Sequence, residues 1–150
     1  VSKFAFAELH ERATRRIAAE FLRRLIERVP CGIHTVLTDS GQPVRAHAFD
    51  LACAQHGIEH RLTKFDHSWT KGQIERMNRT IKEATVRRFY DETHDSLRTH
   101  LATFLDAHNF AKRLKSLRGL TAFERIWQLW TEQPERFRLN PLHHMAGLNT

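Results

Sequence analysis

From Lys3 to Leu9 the side chains alternate, with Phe4 and Phe6 on one side and Ala5, Ala7 and Leu9 on the other, the period-two pattern of a strand. The period then lengthens. Ile17, Phe21, Leu25 and Val29 recur at helical spacing with Leu22 and Ile26 beside them, behind a Thr14 suited to cap a helix and ahead of Pro30 and Gly32, which end it. Ile33 to Thr38 is a short β-branched run closed by the turn residues Asp39-Ser40-Gly41. The pattern predicts a second helix from about Pro43 to His56, with Gly57 as its C′ residue. A third strand follows from Ile58 to Thr63, with Ile58, His60 and Leu62 on one side.

Lys64 to Gly72 reads as a loop leading into a long helix from about Gln73 to Phe89, whose apolar line is Ile74, Met77, Ile81 and Ala84. The next helix, roughly 95–113, carries Leu97, Leu101, Phe104, Leu105 and His108 inward. Thr121-x-x-Glu124 is a capping box, opening a helix with Phe123, Ile126, Trp127 and Trp130. From Pro134 the periodicity fades into irregular structure. Strand, helix, strand, helix, strand and then helices make an α/β layer with a helical C-terminal part. Three strands are a thin sheet, which implies further strands at the front. A first residue of Val rather than Met points the same way, to a truncated record, a non-ATG start or a fragment.

Composition narrows the class. At 150 residues, 41% of them hydrophobic and 27% charged, the chain can form one domain with a real core. No run approaches the roughly 18 apolar residues of a membrane span, and no signal peptide precedes the structured pattern. The net charge of +7 favours a polyanionic partner, because Lys and Arg gain affinity by displacing counterions from phosphates. Cys31 and Cys53 are too few for a disulfide framework or a Cys-x-x-Cys metal site and read as reduced thiols of a cytosolic protein. Cys31 has no evident base beside it and is not a nucleophile.

Two acids carry the chemistry. Asp39 follows the C-terminal end of a strand, where α/β proteins place their sites, and Glu75 is expected in the first turn of the long helix, with 35 residues between them. Seventeen acids in 150 residues make such a spacing common by chance, at roughly one Asp in nine. The surroundings carry more weight. Thr38-Asp39-Ser40-Gly41, and the run from Trp69 through Lys71-Gly72-Gln73-Ile74-Glu75-Arg76-Met77-Asn78-Arg79 to Lys82, closely resemble the last two acidic motifs of insertion-sequence transposases with a retroviral-integrase-type core. The resemblance runs from about Ser2 to Thr150. It takes in Ala107-His108-Asn109-Phe110 with Arg113, and Leu117-Arg118-Gly119-Leu120-Thr121-Ala122-Phe123-Glu124.

That resemblance implies an RNase H-like catalytic core over residues 1–150, a mixed sheet flanked by helices, and metal-dependent cleavage and strand transfer of DNA in transposition. Two Mg²⁺ or Mn²⁺ ions would clamp an in-line displacement, held by hard oxygen ligands. Asp39 would bind one and Glu75 the other, with a further aspartate bridging them. Lys71, Arg76, Arg79 and Lys82 would bind DNA, mainly through phosphates; residues 61–90 hold eight basic and three acidic side chains. Lys82 follows Glu75 by seven positions, which returns it to nearly the same helix face. Element ends and target DNA would be the partners, a homo-oligomer the working form, and the bacterial cytoplasm, at the nucleoid, the location.

The chain also departs from that family. The family's first aspartate lies on the first strand of the sheet, whereas Ser2 to Phe6 resembles a segment two strands later; none of Glu8, Asp50 and Asp66 sits in a motif that could replace it. In the family's strand order the two absent strands lie between Lys3–Leu9 and Ile33–Thr38, splitting the sheet. Ser40 stands where the family has Asn, and Ser68 and Ala122 where it has Pro. The expectation is therefore a core lacking its first two strands and inactive alone. A non-catalytic DNA-binding or interaction fragment is the alternative, and a remnant that does not fold alone a third reading. The eleven histidines show no ligand spacing that closes a site with cysteine. His67 is a weak neighbour of Glu75, His143-His144 reads as surface, and Trp69 as packing beneath the loop.

Overall fold

Thr14 opens the first regular element. Its hydroxyl accepts the Ile17 N–H at 3.2 Å, and helix α1 runs Arg15–Arg28 until Val29 turns extended ahead of buried Pro30. The computed structural model describes residues 2–38, 47–62, 68–84 and 93–142, the side chains of 68–71, 73 and 74 excepted. Strand β1 (Thr35–Thr38), helix α2 (His47–Gln55), strand β2 (Glu59–Leu62), helix α3 (Ser68–Ala84), helix α4 (His94–Asp106) and helix α5 (Ala122–Glu132) follow. The contacts divide the chain into two compact units, His10–Gln73 and Val1–Leu9 with Ile74–Thr150.

In the unit His10–Gln73, β1 and β2 pair in parallel, Thr35 opposite Glu59 and Thr38 opposite Leu62. Among the described residues these two strands are the whole sheet. Leu22 and Ile26 of α1, Phe49 and Cys53 of α2, and Ile58 form the core, with Ala18, Ile33, Val36 and Ala52 packed on it. Each large apolar side chain buried this way contributes about 1.5–3 kcal/mol. The deepest line of α1 is thus Leu22 and Ile26, and Phe21 and Leu25 are only half-buried. Gly57 ends α2 as expected, at φ +64. Its N–H reaches the Ala54 carbonyl at 3.0 Å and the Ile58 N–H reaches that of Cys53 at 2.9 Å, a Schellman cap whose apolar contact is built from core residues. The part of the expected Pro43–His56 helix before His47 lies outside the described residues.

In the unit formed by Val1–Leu9 and Ile74–Thr150 the regular elements among the described residues are helices. α4 passes into a π-helical turn, Ala107–Ala111, closed by the Lys112 N–H on the Ala107 carbonyl five residues back, at 2.8 Å. The helix expected over 95–113 is therefore α-helical only to Asp106. A short 3₁₀ turn at Lys115–Leu117 ends with Arg118 and Gly119 at positive φ. Thr121 and Glu124 then cap α5 reciprocally, at 3.1 and 2.8 Å. Ala122 and Ile126 are buried beneath α5, and Phe110 meets Phe123 at a ring separation of 5.2 Å. Trp127 is 45% exposed; it lies about 100° round the helix from buried Ile126.

Two further expectations give way. Lys3–Leu9 does not form a regular strand, and Lys3 has φ +60. At Ala5 the partner is Asn109, its side-chain amide accepting the Ala5 N–H and donating to the Ala5 carbonyl, both at 2.8 Å. His108 adds a contact from Nε2 to the Lys3 carbonyl at 3.3 Å. Residues 68–72 are helical rather than loop. Gly72 costs a helix only about 1 kcal/mol, so it does not break one that a 17-residue run otherwise sustains. The expected end of that helix, from Thr85 to Phe89, lies outside the described residues.

Candidate active site

Because α3 begins at Ser68, Glu75 is its eighth residue and lies two turns in, not in the first turn. It is clear of the four unpaired N–H groups at the helix start. Its carboxylate is exposed, and among the described residues it makes no hydrogen bond or ion pair. Arg79, one turn on at the spacing of a helical ion pair, is also exposed and unpaired with it. Asn78, Arg79 and Lys82, all exposed, fall within about 60° of Glu75 around the helix, and Lys82 within about 20°. Lys71 lies one turn before Glu75 along the same line. Arg76 does not belong to it: it sits about 100° away. The opposite side of α3 carries the half-buried Met77, Ile81 and Ala84, as expected.

The α3 stripe thus sets one acid beside Arg79 and Lys82 with its carboxylate unclaimed by either, a donor suited to a hard divalent cation. Asp39 lies outside the described residues, as do Ser40, Asp66, His67, Arg87, Arg88 and His143-His144, and the side chains of Trp69 and Lys71. Among the described residues no three His, Cys, Asp or Glu side chains stand close enough to share a metal ion. Thr38, the residue before Asp39, is the last described residue of β1 and pairs with Leu62, the last described residue of β2.

The end of β1 holds a constellation that sequence reasoning missed. The Thr38 hydroxyl is 2.7 Å from His60 Nε2, and His60 Nδ1 is 2.5 Å from a carboxylate oxygen of Asp50 on α2. The His60 side chain is only 9% exposed, with its ring edge-on to Phe49 at 5.0 Å. The available signal was faint: Thr38 and His60 both occupy inward strand positions, but the match to Asp50 is tertiary. On the outer side, Arg61 donates to Glu59 at 2.8 Å and holds that carboxyl below its ordinary range, helped by the Thr35 hydroxyl. Burial pushes the Cys53 thiol up, as does the nearby charge of Asp50.

No protein-family model matches the chain. Among solved structures, it is similar to the catalytic core domain of BIV integrase, with a TM-score of 0.69 over 89% of this chain and 83% of that one. The fold is therefore that of an integrase catalytic core. At 21% identity the likeness establishes architecture, and chemistry must come from the residues. No helix among the described residues is long and apolar enough to cross a membrane.

Proposed function

We propose that this chain is part of the catalytic core of a DNA transposase, one that cuts DNA at the ends of a mobile element and joins the 3′ end to target DNA. The observation that carries the reading is Glu75: an exposed carboxylate, unpaired among the described residues, with Arg79 and Lys82 along its own face of α3, in a chain of integrase-core fold. Asp39, joined directly to the end of β1, is the second acid. Two divalent ions, Mg²⁺ or Mn²⁺, would supply activation of the attacking oxygen and stabilisation of the leaving 3′-oxygen. Asp39 and Glu75 would hold them, one each. Lys71, Arg79 and Lys82 would bind backbone phosphates and so fix the DNA end relative to Glu75. The working form would be a homo-oligomer on paired ends.

The family's site uses three carboxylates, and residues 1–150 supply two in matching motifs. The chain by itself is accordingly expected to bind DNA and metal without joining strands. A Mg²⁺-dependent strand-transfer assay on residues 1–150 tests this, and joined product abolished by Glu75→Gln would overturn the inactivity while supporting the chemistry. The basic stripe on α3 also favours a second reading, a non-catalytic DNA-binding fragment able to pair with an intact transposase and inhibit it. Salt-dependent DNA binding that no divalent ion alters, in wild type or Glu75→Gln, would favour that reading instead.

A further inference from the structure

Between Asp106 and Glu124 the chain holds four Lys or Arg side chains and no acid: Lys112, Arg113, Lys115 and Arg118. All four lie on one loop, and the loop is tied shut. Leu114 and Leu120 face each other across an antiparallel bridge. The Leu114 N–H bonds the Leu120 carbonyl at 3.0 Å, and the Gly119 N–H bonds the Leu114 carbonyl at 3.0 Å. Leu117, between them, is buried. Arg113 is engaged within this frame, its guanidinium donating to the Gly119 carbonyl at 3.0 Å and lying 3.5 Å from the Glu124 carboxylate. Lys112, Lys115 and Arg118 are exposed and make no hydrogen bond or ion pair among the described residues. Three cations are thus held toward solvent on a backbone fixed by its own hydrogen bonds.

Arg118 stands in the left-handed region, at φ 57 and ψ 36, where a Cβ is strained and Gly or Asn is the ordinary occupant. The turn itself therefore gives no reason for an arginine. Its N–H bonds the Lys115 carbonyl at 3.1 Å, a turn that brings the two Cα atoms within about 7 Å of each other. Like charges so close repel, and a polyanion relieves that repulsion while releasing its own counterions. A protein partner suits the loop less well. The centre of a protein interface is apolar and poor in charge, whereas Leu117 is buried and Leu114 and Leu120 are half-buried. We propose that Lys112, Lys115 and Arg118 form a second DNA-binding surface, separate in sequence from the α3 stripe, that grips backbone phosphates without reading bases. This rests on DNA being the partner of the chain, and on neither the metal site nor strand transfer.

The test titrates residues 1–150 into a fluorescent random-sequence duplex and reads anisotropy over a series of salt concentrations, without divalent ions. Lys115→Ala and Arg118→Gly should each lower the slope of log affinity against log salt by about one, and the double variant by about two. Arg118→Lys should keep the wild-type slope. Because Arg118→Gly relieves the left-handed strain, its urea midpoint should equal or exceed that of wild type. Weaker binding by a chain no less stable separates charge from scaffold. Bound duplex should also shield Lys112 and Lys115 from an amine-acetylating reagent, read by mass spectrometry. Wild-type slopes in Lys115→Ala and Arg118→Gly, beside a lowered slope in Arg79→Ala, would overturn this surface and leave the α3 reading standing. A wild-type chain that binds no duplex would overturn both. Polyglutamate that shields the two lysines as well as duplex does would assign the surface to an acidic protein instead.

Discussion

Asn109 and Ala5, separated by 104 residues, exchange two hydrogen bonds of 2.8 Å each, with the side-chain amide of one standing in for the edge of a strand beside the other. Asn109 is 3% exposed, so its loss would leave both polar groups of Ala5 short of partners in a half-buried place. At about 1–3 kcal/mol for each stranded group, and with water able to reach Ala5, Asn109→Ala should cost roughly 2–3 kcal/mol in urea unfolding. Asn109→Asp should cost more, since it turns a buried carboxylate oxygen toward the Ala5 carbonyl. Hydrogen exchange at the Ala5 amide should accelerate in both.

Gly57 offers a cleaner backbone test. A Cβ there would meet nothing within 4 Å, so any loss in Gly57→Ala comes from holding an L-residue at φ +64, about 1–2 kcal/mol. Gly57→Asn should lose less, because Asn tolerates the left-handed region. Equal losses in the two thermal melts would show that the cap is not what is being measured.

The two thiols should react at different rates. Cys53 is 1% exposed, and burial raises its thiol pKa, so little thiolate exists at neutral pH. Cys31 is only half-buried. A thiol reagent added to the native protein should modify Cys31 first, and Cys53 only as the fold opens. Rates within a factor of two of each other would contradict the packing around α2.

Acid should weaken the β1–β2 pair through Glu59. Its folded pKa lies below the ordinary glutamate value because of Arg61 and Thr35. Folding thus favours the ionised form, a contribution present above the ordinary value and lost as pH falls through the depressed one. The groups are exposed and the effect is small. Urea midpoints for wild type and Glu59→Gln should differ by a constant amount near neutrality and converge as pH drops below the glutamate range. A gap that widens on acidification would reverse the sign argued here.

On α3, position around the helix separates the cations. If Arg79 and Lys82 meet phosphates, Arg79→Ala and Lys82→Ala should each lower the slope of log affinity against log salt by about one. Arg76→Ala, about 100° away, should change it less. Glu75→Gln should tighten DNA binding without metal, by removing the one acid in the stripe, and should abolish any strengthening by Mn²⁺.

Local structure was the legible part of this chain. Thr14, Gly57 and the Thr121–Glu124 box each work through neighbours a few residues away, and each does what its spacing implies. The lines Leu22–Ile26 and Met77–Ile81–Ala84 were also readable from period alone. Long-range pairing was not. Lys3–Leu9 carries the alternation of a strand, but within it Ala5 is bound by Asn109, and nothing local to either announces the other. The chain from Asp50 to Thr38 is hidden for the same reason. Ser68 to Gly72 reads as loop in the sequence, yet these residues are the start of α3. Of the two acids, Glu75 has a described setting, whereas the role of Asp39 still rests on its motif.

The π-helical turn at Ala107–Ala111 sets regularity against stability. In an uninterrupted α-helix, consecutive side chains diverge by about 100°, yet His108 and Asn109 are both buried. One surplus residue lets the two neighbours serve the same side, one toward Lys3 and the other toward Ala5. Removing a single residue there would restore a regular helix and swing one of the pair toward solvent. The improved helix would belong to a worse protein, with the N-terminal segment cut loose by a deletion that no scale of helix preference would penalise.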